Sequence, residues 1–172
     1  MKQILKFNEL FEKLNLLTSG EEYDSIKYEY GVKTKINKDI IKYADDAIIK
    51  FKSKIKLWKD IKIIFVNDIN GEFLGRFRSE TSTSTPIIML SDSEILKGAK
   101  EYNVPLIVAV ETTIFHELGH AICELERDIF GYMYLQYGDE EQWAEDFGFY
   151  FHDYNEIPED LEEFIEEYNK IK

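Results

Sequence analysis

Residues 116–120 read His116-Glu117-Leu118-Gly119-His120, and they hold two of the chain's three histidines. On a helix, positions four apart share one face, so the two imidazoles of an H-E-x-x-H run can grip a single zinc ion. Glu117, between them, takes the place of a general base acting on water at that ion. Two histidines leave such a site one ligand short. Hydrolytic zinc sites ordinarily take three protein ligands and keep the fourth position open.

The third ligand decides the kind of site. In H-E-x-x-H-x-x-G-x-x-H proteases it is a histidine six residues after the second. Here Cys123 stands where the glycine is needed and Glu126 where the histidine is needed. Glu124 shares the histidine face one turn beyond His120. A straight helix sets it too far along its axis to close a tetrahedron with both imidazoles. Residues 140–150 are the better source. Glu141 and Glu145 are four apart and share one helix face with Phe149 and His152, whereas Trp143 and Phe147 point elsewhere. Glu141 is the expected ligand, with Glu145 the alternative. In the preferred arrangement Glu145 accepts a hydrogen bond from a ligand histidine and fixes its tautomer. Cys123, a lone thiol on an apolar helix, reads as inert packing.

These groups need elements to hold them. Apolar residues at helical spacing predict helices over 2–17 and over 38–51, the second with Ile40, Ile41, Ala44, Ala47 and Ile48 on one side. The β-branched run 61–66 predicts a strand, 73–77 a second, and 87–90 a short third that would form an edge beside the cleft. Ser93 is placed to cap a helix through Lys100, and Pro105 to open the helix that carries the motif. Further helices follow from Glu140 to about His152 and from Pro158 to about Tyr168. The Ser/Thr-rich run 79–85 reads as a surface loop. Helices, then a short sheet, then two ligand-bearing helices give an α+β class: a short mixed sheet packed on the motif helix and on a second helix with the third ligand. No low-complexity linker divides the chain, so 1–172 reads as one domain, with an N-terminal helical region over 1–60 and the sheet and metal-site helices over 61–172.

The pair of motifs carries a resemblance. His116-Glu117-Leu118-Gly119-His120 followed by Glu141-Gln142-Trp143-Ala144-Glu145-Asp146-Phe147 resembles the E-x-aromatic-A-E-x-F segment of anthrax-lethal-factor-like zincins. It is also similar to the E-E-x-x-A-E stretch in the metallopeptidase domain of plasmid antirestriction proteins, and more loosely to regulatory peptidases of mobile elements. The likeness covers roughly residues 105–152, and Gly148 stands where an alanine is usual. It implies a minimal zincin-like fold and a zinc-dependent peptidase with a narrow protein substrate, in a regulatory or counter-defence role. It also implies Glu141 as third ligand and an assisting tyrosine at Tyr134, with Tyr132 and Tyr137 as neighbours of the same type. A zincin-fold binding protein that sequesters a partner without cleaving it is the alternative, and a metal-free buried helix the third reading.

Charge narrows the partners. The chain carries a net charge of −13, yet residues 1–110 sum to +2 and residues 111–172 to −15. Phosphate backbones are repelled by such a surface, so direct nucleic-acid binding through the motif half is not expected; a basic protein or peptide is attracted. The longest apolar stretch, Val104 to Val110, is too short to span a bilayer, so no membrane partner is expected. A single cysteine and no apolar leader point to a reducing, cytoplasmic compartment.

Overall fold

The computed structural model describes residues 33, 35–56, 61–66, 74–78, 87–125, 139–151 and 159–171. They form five helices and three strands, an α+β arrangement: α1 (Lys38–Lys54), β1 (Lys62–Phe65), β2 (Gly75–Arg78), β3 (Ile87–Leu90), α2 (Asp92–Glu101), α3 (Leu106–Leu125), α4 (Glu140–Phe151) and α5 (Glu159–Ile171). The helix expected over 2–17 and the loop expected over 79–85 lie outside the described residues.

Each helix follows from its sequence. Asn37 caps α1, its side-chain oxygen accepting the Asp39 N–H at 2.9 Å, while Ile40, Ala44, Ala47, Ile48 and Phe51 repeat at helical spacing and are buried. The predicted cap of α2 needs correction. Ser91, not Ser93, accepts the Glu94 N–H, because the helix begins at Asp92 and only Ser91 has the extended backbone of a cap.

The sheet is mixed, in the order β1-β3-β2, with β1 parallel and β2 antiparallel to β3. The predicted edge position of 87–90 is therefore wrong. β3 is the central strand, and all four of its residues are buried, as a strand paired on both sides and covered on both faces must be. Alternation sends Ile63, Phe65, Ile88 and Leu90 into the helical core, and Ile64, Val66, Ile87 and Met89 into a second cluster on the opposite face. β2 is the strand beside the site.

α3 runs through the middle and packs on α1, α2, α4, β2 and β3. Residues 106–124 are long and apolar enough to cross a bilayer, a span longer than the apolar run that the sequence reading weighed, yet 56% of that window is buried inside the fold. α1 shares one core with α3, α4 and α5. Phe51, Phe115, Phe147 and Phe151 join them through ring contacts, the closest being Phe115–Phe151 at 4.7 Å. α5 buries Leu161, Phe164, Ile165 and Tyr168. Its Asn169 accepts the Lys56 N–H at 3.1 Å and donates to the Lys54 carbonyl, satisfying the C-terminal end of α1.

Two glycines on the α3–α4 contact differ in what they tolerate. A Cβ at Gly119 would lie 3.0 Å from the Ala144 Cα and 3.2 Å from the Phe147 Cβ, whereas one at Gly148 would meet nothing nearer than 3.7 Å. Gly119→Ala is expected to destabilise the fold by roughly 1–3 kcal/mol, as overpacking does. Gly148→Ala is expected to stabilise it by up to about 1 kcal/mol through helix propensity. Urea unfolding of both variants checks this, and equal effects would contradict it.

Candidate metal centre

α3 sets His116 and His120 on one face with their rings 4.8 Å apart and nearly perpendicular. Their Nε2 atoms approach to 3.1 Å. α4 brings its first turn across this pair. The Glu141 carboxylate lies 3.5 Å from the His116 Nε2 through Oε2 and 3.5 Å from the His120 Nε2 through Oε1. Zinc–ligand bonds of 2.0–2.2 Å at tetrahedral angles put ligand atoms about 3.3–3.5 Å apart. The Nε2–Nε2 separation is close to one edge of that tetrahedron; Glu141 meets each histidine through a different oxygen, and with one atom taken from each residue the three donors lie within 4.8 Å of one another, a group that could hold a metal ion. Among the described residues these are the only three His, Cys, Asp or Glu side chains so grouped. The Glu141 side chain is 71% exposed against 25% and 13% for the histidines, so the group opens to solvent on the α4 side.

The local sequence explains the approach. The Asp139 side chain accepts the Glu141 N–H at 2.9 Å, fixing the first turn of α4. Carboxylates in that turn are favoured by the helix dipole. On the buried side of α4, the Trp143 indole N–H donates to the Gly119 carbonyl at 3.1 Å. That bond pins the register between the two helices, with Glu141 two residues before Trp143 and His120 one after Gly119.

Glu140 supplies a contact that sequence reasoning missed. Its Oε1 lies 2.9 Å from the His120 Nδ1. With Nδ1 donating to that carboxylate, Nε2 is the nitrogen left to face His116 and Glu141. The signal was present as consecutive glutamates: neighbours on a helix point about 100° apart, so one can reach the ion position and the other the far side of a ligand ring. This is the role the sequence reading gave to Glu145. Among the described residues, Glu145 makes no hydrogen bond to either histidine; it lines a pocket with His116, Glu117, Leu74, Thr112 and Phe149. Burial and the adjacent His120 hold His116 below the ordinary histidine pKa, against the pull of Glu141 and Glu145, so it stays a neutral ligand to lower pH.

Glu117 projects from the same helix toward β2 and is only 6% exposed. Burial raises its carboxyl from 4.5 to about 7, the charge of Glu141 adding to the rise, while His120, the Phe77 backbone N–H bonded to it and Arg76 act the other way. A pKa there suits proton transfer near neutrality. Gly75 is the second residue the sequence did not mark. A Cβ on it would come within 2.7 Å of the Thr113 Cγ2 and 2.9 Å of the Glu117 Cγ, so only glycine lets β2 close on Glu117. A glycine inside a strand pattern is the available hint of such an approach.

Tyr134, Tyr132, Tyr137, His152 and Glu126 lie outside the described residues. Glu124 is exposed and is not in the donor group, and Cys123 is buried in the core. A larger hollow of about 950 Å³ lies where α2 meets α3, around Lys97, Lys100, Val104 and Leu106, and it contains no part of this donor set. Comparison of the chain with protein-family models, with curated proteins and with solved structures finds no match.

Two outcomes follow. Zinc titration by calorimetry is expected to show one site, weakened about 10–100-fold by Glu140→Gln, as loss of a ligand-orienting carboxylate does, and much less by Glu145→Gln. Equal losses would remove Glu140 from its role. In zinc-free protein, Glu117 binds its proton more tightly folded than unfolded. Its contribution to stability is therefore complete below pH 4.5 and is lost as pH rises through about 7. Glutamine does not titrate. The stability of Glu117→Gln relative to wild type is then expected to rise by up to about 3 kcal/mol between pH 4.5 and 8 in urea unfolding with a chelator present. A pH-independent difference would contradict the burial argument.

Proposed function

We propose that this chain is a zinc-dependent peptidase of zincin type that cleaves a specific protein substrate. The reading rests above all on one observation: one donor atom from each of His116, His120 and Glu141, carried by two helices, lies within 4.8 Å of the others beside a buried carboxyl raised to about 7. A metal-free buried helix would account for the two histidines; a carboxylate brought to both of them from a second helix supports the metal reading. The resemblance of the two motifs to zincin peptidases points the same way.

When bound, zinc supplies Lewis acidity, activating water near neutral pH and polarising a substrate carbonyl. The chain's own residues do the rest. His120, oriented by Glu140, and His116, kept neutral by its surroundings, present lone pairs to the ion. Glu117 takes a proton from the attacking water and returns it to the leaving amine. Its hydrogen bond to the Phe77 N–H holds it on the outer edge of β2. An extended peptide lying along that edge offers Phe77 a carbonyl in exchange, which frees the carboxylate for the water. Tyr134 is the candidate to donate a hydrogen bond to the oxyanion, a role carried over from the resemblance.

Proteome-wide mapping of new N-termini tests the proposal. Zinc-loaded wild type is expected to generate a small set of cleavages that Glu117→Gln, with its zinc retained, lacks by at least about a hundredfold. Undiminished cleavage by the variant would overturn the mechanism. A biological effect that survives in the variant without cleavage would favour a sequestering protein instead.

A further inference from the structure

A pocket of about 380 Å³ adjoins the centre, between β2, α3 and α4. His116 and Glu117 form one wall, so whatever fills it touches the reacting groups. Its other walls are unusual for exposed surface. Leu74 and Phe149, both large and apolar, line it and remain 42% and 44% exposed. Gly148 adds no side chain, and a Cβ there would have room. Glu145 also lines the pocket, is exposed, and has no hydrogen bond or ion pair among the described residues.

Apolar walls with one carboxylate suit a particular shape of ligand. A purely apolar side chain would strip water from Glu145 without replacing its hydrogen bonds. A long cationic side chain lays its methylene stem on apolar surface and keeps its charged tip free to pair. The Phe149 ring attracts a cation over its face. The surroundings agree: Glu141 is on the same helix, and residues 111–172 carry a net −15.

We propose that this pocket binds a lysine or arginine side chain of the substrate, its stem along Leu74 and Phe149 and its tip at Glu145. As a substrate-selecting site it rests on the reading of His116, Glu117 and His120 as the reacting centre; as a binding site it can be tested without hydrolysis.

The probes are acetyl-lysine methylamide and its uncharged near-isostere acetyl-norleucine methylamide. Each is titrated into isotope-labelled full chain, with backbone amide shifts followed by NMR. The lysine compound is expected to move the Gly148 and Phe149 amides and to bind about fivefold tighter than the norleucine compound, the scale of an exposed ion pair plus a cation–π contact. Glu145→Gln is expected to abolish that preference, while its unchanged thermal unfolding shows that the fold is intact. Equal binding of the two compounds, or a preference that survives Glu145→Gln, would overturn the proposal. Lysine selectivity in a chain that takes up no zinc would leave the pocket standing and sink the peptidase reading. Zinc-dependent cleavage with no basic preference would do the reverse.

Discussion

The site depends on how closely α4 can approach α3. Two helices carrying ordinary side chains pack with axes about 8–10 Å apart. Here the contact is made where Gly119 has no side chain and Ala144 has a small one, with an added Cβ only 3.0 Å from the opposing backbone. The Trp143 indole then bonds the Gly119 carbonyl, using the lone pair that the helical hydrogen bond leaves open. Trp143 is 1% exposed, so an indole N–H without that partner would be a buried unsatisfied donor. Position and register are fixed together, and the first turn of α4 has no choice but to lie over His116 and His120.

Such convergence runs against stability in the absence of an ion. Two imidazole nitrogens at 3.1 Å, a carboxylate beside them and a second carboxyl buried at Glu117 are groups that would each be better solvated apart. The aromatic core, from Phe51 through Phe115, Phe147 and Phe151, packs α3 and α4 together and holds these groups close despite that cost. Groups held close on a packed scaffold are what a preorganised binding site requires, and an ion bound there as proposed would stabilise the fold by mass action.

How much of this was legible in the sequence follows the range of the interactions. The H-E-x-x-H spacing and the apolar periods of α1, α3 and α4 are local, and the described elements lie where those patterns placed them, within a few residues. The pairing order of the sheet is not local. Nothing within Ile87–Leu90 says that it pairs with 62–65 on one side and 75–78 on the other, so an all-apolar run of four was open to being read as an edge. The difference between Glu140 and Glu145 is likewise tertiary. Both are near the right helix face, and only the crossing of α4 over α3 decides which carboxylate reaches the His120 Nδ1. Gly75 was hidden for the same reason, since its neighbour across space is 42 residues away in Glu117. Tyr134 remains a sequence inference alone.

Charge ties the centre to its surroundings. If the proposed divalent ion binds, the Glu141 carboxylate would offset one of its charges, and Glu140, hydrogen-bonded to the back of His120, would offset another through the ring. With such an ion neutralised by these two, further carboxylates near it would gain little from its field. Glu117 finds its compensation in its own proton and in the Phe77 N–H. Glu145 is exposed and lines the neighbouring cavity. A metal site therefore accounts for Glu140 and Glu141 but not for Glu145. The acidity of α4 exceeds what the proposed ion would require, and the excess lines the pocket beside it.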